Sequence, residues 1–317
     1  MKTEKRDIHQ EVTDKLIAMM EAGRLPWVCP WKHGTSNLDS LIPYNALSRR
    51  NYNGINIMLL WGDSIEYGTN GWLTFNQCKQ LGGTVKKGEK GRMIVFFKPF
   101  EGKDKVTGEK KMFPLLRHSH VFNVAQCEGL KLPAPRAVVA PVSPKGAVLE
   151  IATAHNVALS HGGNSAYFRP SNDTVQMPHF DQFKTEEGYS QTLAHELTHW
   201  TGHKSRLDRD LSGMKGLNHE SYAKEELIAE LGSAFLCAEL GIKADHDQSA
   251  AYLQSWLQGL RNDKRYIFSA ASAARKATDF LQMRTKEQEE QAADETLAAD
   301  QEPSSSEKMA ETLALLA

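Results

Sequence analysis

Two imidazoles and a carboxylate sit at helical spacing in "SQTLAHELTHWTGHKSRLDR", residues 190–209: His195, Glu196 and His199. On an α-helix, residues i and i+4 share one face about a turn apart, so both histidines can aim a ring nitrogen at one ion. Glu196 projects beside them, where it can take a proton from water without binding the ion. This is the H-E-x-x-H pattern of zincins, in which imidazole nitrogens lie about 2.0–2.1 Å from a zinc ion. Its chemistry is hydrolysis. The ion lowers the pKa of water toward about 7 and polarises a carbonyl, while the glutamate relays the proton to the leaving amine. The bland alternative is an amphipathic helix that carries two histidines at its surface.

A third ligand discriminates between these readings. In the H-E-x-x-H-x-x-G-x-x-H subclass a third histidine follows, and here Gly202 holds the glycine position but Ser205 the histidine position. The gluzincin alternative takes a glutamate from a later helix, and "YAKEELIAELGSAFL" supplies Glu225, Glu226 and Glu230 on an otherwise apolar segment. Glu226 and Glu230 share a face by i, i+4 spacing, and a glutamate pair on a half-buried face is costly without a cation. Glu226 is therefore assigned as the ligand, and Glu230 as the carboxylate that fixes a ligand histidine's tautomer. Glu225 is expected to be dispensable, although its neighbourhood keeps all three glutamates in contention. Zn2+ is the expected ion, with Mn2+ or another divalent metal as the alternative. Tyr189 and Tyr222 are the candidates for stabilising the oxyanion.

These residues need a scaffold, and the chain of 317 residues is long enough for two domains. The clearest seam is "GLKLPAPRAVVAPVSPKG", residues 129–146, which holds four of the twelve prolines. Such a segment is extended and semi-rigid. The division expected is a domain over 1–128, a linker over 129–146, a second domain over 147–284 and an acidic, disordered tail over 285–317. Few contacts should then cross the seam.

Before the seam, periodicity predicts an opening amphipathic helix with Ile8, Val12, Leu16, Ile17 and Met20 on one face. A helix follows "PYNALSRRNYNG", and another is predicted over "GWLTFNQCKQ", stopped by Gly82-Gly83. "RMIVFFKPF" reads as a strand returning through a hairpin near Thr107-Gly108. After the seam come a helix over "GAVLEIATAHNVAL", a hairpin around Asn172-Asp173, and helices at 187–202, 220–240 and 247–280. The fold class is α+β in both halves.

Charge separates the halves. Residues 1–130 carry 19 Lys and Arg against 13 Asp and Glu, leaving 19 against 26 in 131–317. The basic half also interleaves rings with cations: Trp27, Trp31, Lys32, Arg49, Arg50, Tyr52, Trp72, Lys86, Lys87, Lys90 and Arg92. Sequence-neutral binding of a single nucleic-acid strand needs flat rings for the bases and cations for the phosphates. "GGTVKKGEKGR" is a glycine-flexed basic loop suited to backbone contacts, but it is no nucleotide-triphosphate loop. Four scattered cysteines without C-x-x-C argue against a zinc ribbon or disulfide scaffold and for a reduced, cytoplasmic protein. No apolar run reaches the length of a membrane span, and the N-terminus lacks a secretory apolar core.

In their order, "RLPWVCPW", "PYNALSRRNYNGIN", "GWLTFNQCKQLGGTVKKGEKG" and "YSQTLAHELTHWTGHKSRLDR…YAKEELIAELGSAFL" resemble the ArdC-type antirestriction proteins of conjugative plasmids, over roughly residues 5–280. The resemblance implies an N-terminal single-stranded-DNA-binding domain and a C-terminal zincin-like metallopeptidase domain. It also implies protection of incoming plasmid DNA against restriction. Two other functions compete: a DNA-coating protein whose metal site is structural or vestigial, and a metallopeptidase whose first half recruits an unknown protein substrate.

Overall fold

The computed structural model describes residues 6–28, 41–103, 110–132, 143–212, 220–243 and 252–283. Helix α1 (Ile8–Glu21) starts where the Asp7 carboxylate accepts from the Gln10 N–H, and it buries Val12, Leu16, Met19 and Met20. Strand β1 (Tyr44–Asn45), α2 (Ile55–Tyr67), β2 (Gly71–Thr74), α3 (Phe75–Gln80) and β3 (Thr84–Val85) follow. Next are β4 (Arg92–Lys103), β5 (Lys110–Asn123) and β6 (Cys127–Glu128). The second half runs α4 (Pro144–Ala154), β7 (Ala158–His161), β8 (Tyr167–Arg169), β9 (Thr174–Met177), α5 (Glu186–Thr201), α6 (Glu220–Glu239), α7 (Leu253–Asn262) and α8 (Tyr266–Leu281).

The first half is built on a sheet of order β1-β2-β5-β4, whose antiparallel β4–β5 hairpin runs from the Arg92↔Val121 pair to Lys103↔Lys110. The predicted turn at Thr107-Gly108 and most of the seam lie outside the described residues, as does the acidic tail. Asn56 pins helix α2 to β4: it donates to the Val95 carbonyl at 2.7 Å and accepts from its N–H at 2.8 Å.

Three local expectations are corrected. "GWLT" is a buried strand rather than the start of a helix, because Thr74 caps α3 with the reciprocal Gln77 bond that starts a helix one residue later. The α4 helix stops at His155, with Asn156 at φ +52, and the remaining apolar residues become β7. The long C-terminal helix breaks at Asp263, whose backbone is extended and whose carboxylate accepts from the Arg265 N–H at 2.8 Å.

The largest correction concerns the seam. One apolar core takes Val12, Leu16, Met20, Trp27, Ile57, Met58 and Trp61 from the first half, and Leu227, Leu231, Phe235, Trp256, Leu260 and Ile267 from the second. Trp27 meets Trp256 edge-on with ring centroids 5.3 Å apart, and Trp61 lies 6.3 Å from Phe235. Few contacts across the seam was the wrong expectation, and the reason is α6. It is apolar on both sides, as a helix buried between two layers must be. Its Leu231 and Phe235 face this shared core, while Leu236 and Cys237 join a second core with Tyr189, Leu193 and Leu197 of α5. Helix α6 is thereby packed from both halves, and α5 lies against it.

Candidate metal centre

Helix α5 is capped by Thr185, whose hydroxyl accepts from the Gly188 N–H at 3.0 Å, and it is buried along the face that meets α6. The two helices approach closely at Gly232. A β-carbon there would lie 2.5 Å from Thr198 Cγ2, and Thr198 is held in place by its own hydroxyl bond to the Ala194 carbonyl. Any larger residue would push α6 and its glutamates away from α5.

That approach brings three predicted residues together. The Nε2 atoms of His195 and His199 lie 3.2 Å apart. Glu226 spans them, with one carboxylate oxygen 3.5 Å from His195 Nε2 and the other 3.4 Å from His199 Nε2. One ligand atom from each of the three residues lies within 4.8 Å of the others. Atoms held at about 2.0–2.1 Å around a tetrahedral ion are about 3.3–3.4 Å from one another, so each pairwise approach is close to that between two ligands of one ion. The site opens on one side, where the His195 side chain is 22% exposed.

The outer ring nitrogens are held as well. Glu230 lies 3.7 Å from His195 Nδ1. His199 Nδ1 lies 3.1 Å from a carboxylate oxygen of Glu225. Glu225 is therefore not idle. It is 3% exposed and accepts two bonds from Arg209, at 3.0 and 2.7 Å. Arg209 also donates to the Thr198 carbonyl and the Thr201 hydroxyl, tying the whole unit to the end of α5. Proton donation at Nδ1 leaves the lone pair at Nε2, on the side where an ion would sit.

Electrostatics follow from the same contacts. Burial alone would depress the His199 pKa, but hydrogen bonds to Glu225 and Glu226 outweigh it and hold the ring up at about 9. His195 is raised well above its ordinary value in the same way, against its burial, by Glu226 and Glu230. Burial likewise opposes ionisation of Glu226, yet both histidines pull its pKa far down. A cation entering here replaces protons, so its affinity rises with pH through the neutral range. Glu196 differs from its neighbours: burial raises its pKa, and its carboxylate accepts a bond from the Phe168 backbone on β8.

Strand β8 is itself fastened to the helix. Arg206, in the turn after α5, pairs with Asp173 in the β8–β9 turn and packs its guanidinium 3.7 Å from the Trp200 ring centre. Of the two tyrosines considered, Tyr189 is buried and bonded to His161 at 2.8 Å. Tyr222 meets Tyr252 at 3.2 Å and also bonds Glu226, and its phenol pKa is pushed up by burial and by both partners.

Residues 6–122 match the model of the N-terminal domain of anti-restriction factor ArdC, and residues 147–273 match that of a zincin-like metallopeptidase. The crystal structure of the antirestriction ArdC protein from the R388 plasmid, in its metal-free form, superposes with a TM-score of 0.73 at 42% identity. That match covers 87% of this chain and 97% of the other. The Mn(II)-bound form of the same protein gives 0.71 at 41% identity, covering 88% and 98%. This chain belongs to the ArdC-type antirestriction family. The uncharacterized protein y4eC of Sinorhizobium fredii is 37% identical over 291 residues, which are 87% of this chain and 91% of that protein. DNA primase TraC of Escherichia coli is 36% identical over 295 residues, but these are only 27% of its length, so its name transfers no activity.

For an ArdC-family protein, the expected nucleic-acid residues are distributed unexpectedly. Trp27 and Trp72 are fully buried and Tyr52 is 4% exposed. Their assignment as stacking rings is corrected, because a ring without a free face cannot receive a base. Trp31 and Lys32 lie outside the described residues. Arg49 and Arg50 are half-buried beside β1, Arg49 over the Tyr44 ring at 5.0 Å, and Arg92 lies 3.2 Å from Asp63. Lys86, Lys87 and Lys90 are exposed on one turn. No helix among the described residues is long and apolar enough to cross a membrane.

Sequence reasoning missed Arg209 because loop arginines carry no periodic signal, and without Arg209 it took Glu225 as dispensable. Their geometry makes a prediction opposite to the one from spacing: Glu225→Ala is expected to weaken metal affinity about 10–100-fold, the usual cost of losing a ligand's outer partner. Competitive titration of the purified variant with a chromophoric chelator checks this, and wild-type affinity would return Glu225 to a structural role.

Proposed function

We propose that this protein binds single-stranded DNA through its basic first half, holds a divalent ion, Zn2+ by choice of donors, on His195, His199 and Glu226, and hydrolyses peptide bonds there. The biological setting is antirestriction, the protection of entering plasmid DNA. The convergence of the three donors beside buried Glu196 carries the reading. Two imidazoles and one carboxylate, each histidine backed at Nδ1 by a carboxylate, are a donor set suited to zinc, and Mn2+ is accommodated by the same atoms.

A bound ion supplies Lewis acidity to a carbonyl and to the attacking water. The protein supplies the rest. Glu196, with a pKa raised by burial, takes the proton from water and delivers it to the leaving amine. The Phe168 N–H orients that carboxylate. Strand β8 lies at the outside of its sheet, in the order β7-β9-β8, and is the strand beside which an extended peptide would run near Glu196. Tyr222, whose phenol bonds Glu226, is the candidate to donate to developing negative charge.

The reading is tested by pairing oligonucleotide affinity with plasmid establishment in restricting recipients, wild type against Glu196→Gln. Affinity for the single strand is expected to be unchanged within error, and protection to survive at least in part, because a coated strand is shielded without cleavage. Protection that vanishes while affinity holds would make proteolysis the mechanism. No oligonucleotide binding by the wild type would end the DNA reading.

A further inference from the structure

Among the described residues of the first half, the uncovered rings are not Trp27, Trp61 or Trp72, which are buried. Phe75, the first residue of α3, is 48% exposed. Around it a continuous surface is assembled from three elements. Phe122 on β5 meets Phe75 with ring centroids 6.4 Å apart at 59°. Lys79, one turn along α3, holds its ammonium 4.7 Å from the Phe75 ring centre. His120, two residues before Phe122, shares its side of the strand and is exposed. Beneath them Gly91 carries no side chain, and a β-carbon there would lie 3.0 Å from His120 Cβ and 3.2 Å from Phe122 Cζ. The absence of a side chain leaves the phenylalanine ring its position.

The third element is the lysine turn. Buried Gln126, 1% exposed, brackets it against the end of β5. Its amide nitrogen donates to the Lys90 carbonyl at 3.1 Å and to Glu89 at 2.7 Å, while its oxygen accepts from the Asn123 N–H at 2.8 Å. The Lys86 N–H donates to the Gln126 carbonyl at 2.9 Å. Lys87 and Lys90 are thereby presented outward from an anchored backbone beside the ring pair, with Gly88 at φ +90 making the turn.

Flat apolar rings next to ammonium groups accept stacked bases and phosphates together, and only an unpaired strand has base faces to offer. We infer that Phe75, Phe122 and His120, flanked by Lys79, Lys87 and Lys90, form the track on which a single DNA strand lies. Bases stack on Phe75 and phosphates follow the lysine turn. This placement rests on the single-strand reading above and replaces the buried tryptophans as its stacking residues.

Fluorescence anisotropy of a labelled oligonucleotide on the full-length protein tests it. Phe75→Ala, on an exposed side chain, is expected to lower affinity about tenfold, and Phe75→Trp to restore it with quenching of the new indole emission. Lys87→Ala with Lys90→Ala should reduce the slope of log affinity against log salt by about 1.4, or about 0.7 for each phosphate contact. Phe97→Ala serves as the control, since Phe97 is 49% exposed but pairs with Leu116, six residues from Phe122 on β5. If wild type binds the oligonucleotide and Phe75→Ala binds equally well, the track is wrong and the DNA reading stands. Tighter binding of duplex than of single strand would overturn the track, and an inert wild type would overturn both.

Discussion

Glu226→Ala is expected to lose metal almost completely. Three side chains bring donor atoms within 4.8 Å of one another, and the substitution removes the only carboxylate among them. The remaining imidazoles bind a cation as a two-donor site, with no negative charge to balance it. The loss should exceed about 100-fold in affinity, beyond the range seen when an outer partner is removed. Fold is not at stake in the same degree. Glu226 is buried against the two histidines, but the apolar face of α6 that fills the shared core is carried by Leu227, Leu231 and Phe235. Metal content after zinc loading and desalting, measured beside thermal unfolding of the apo forms, separates the two effects. A variant that holds zinc as tightly as wild type would remove Glu226 from the ligand set.

Glu196→Gln is expected to retain its metal and lose about 10²–10⁴ in peptide hydrolysis, the span ordinarily contributed by a general base. Its carboxylate is not one of the three converging donors, so the amide leaves the site's charge toward the ion intact. The pH profile carries a second signature. The Glu196 pKa is raised above the ordinary carboxylate range by burial, and only its deprotonated form accepts a proton. Wild-type hydrolysis therefore rises with pH through that raised value and falls as pH drops below it, a limb that the glutamine variant should lack. Cleavage of an unstructured protein, followed by mass spectrometry at matched metal content, measures both. Equal rates in wild type and variant would exclude Glu196 as the base.

The physics of short stretches made several features readable directly. An i, i+4 histidine pair faces one way on any α-helix, so His195 and His199 were bound to converge wherever α5 packed. Apolar periodicity marked α1, α5 and α6. Alternation around Asn172-Asp173 marked the β8–β9 hairpin, with Asp173 in the left-handed region at φ +54. The glutamates of α6 were legible as a set, because carboxylates on an apolar helix need a reason.

Which glutamate touches which nitrogen was decided only by packing. Glu225 and Glu226 are adjacent and point about 100° apart, yet both reach His199, one at Nδ1 and the other at Nε2. That outcome depends on how closely α6 crosses α5 at Gly232 and on Arg209, which comes from a turn without pattern. Composition gave the number of rings in the first half but not their exposure, so Trp27 and Trp72 looked as available as Phe75. Large rings are buried when a facing surface exists to bury them. For Trp27 that surface belongs to α6, α7 and α8, more than a hundred residues away in the chain, and it also joins two halves that the proline-rich seam had seemed to divide. For Trp72 it is closer, made of Tyr52, Leu60, Ile94 and Val121 within the first half. Local spacing fixes where a side chain points on its own element; what it meets there is set by contacts between distant segments.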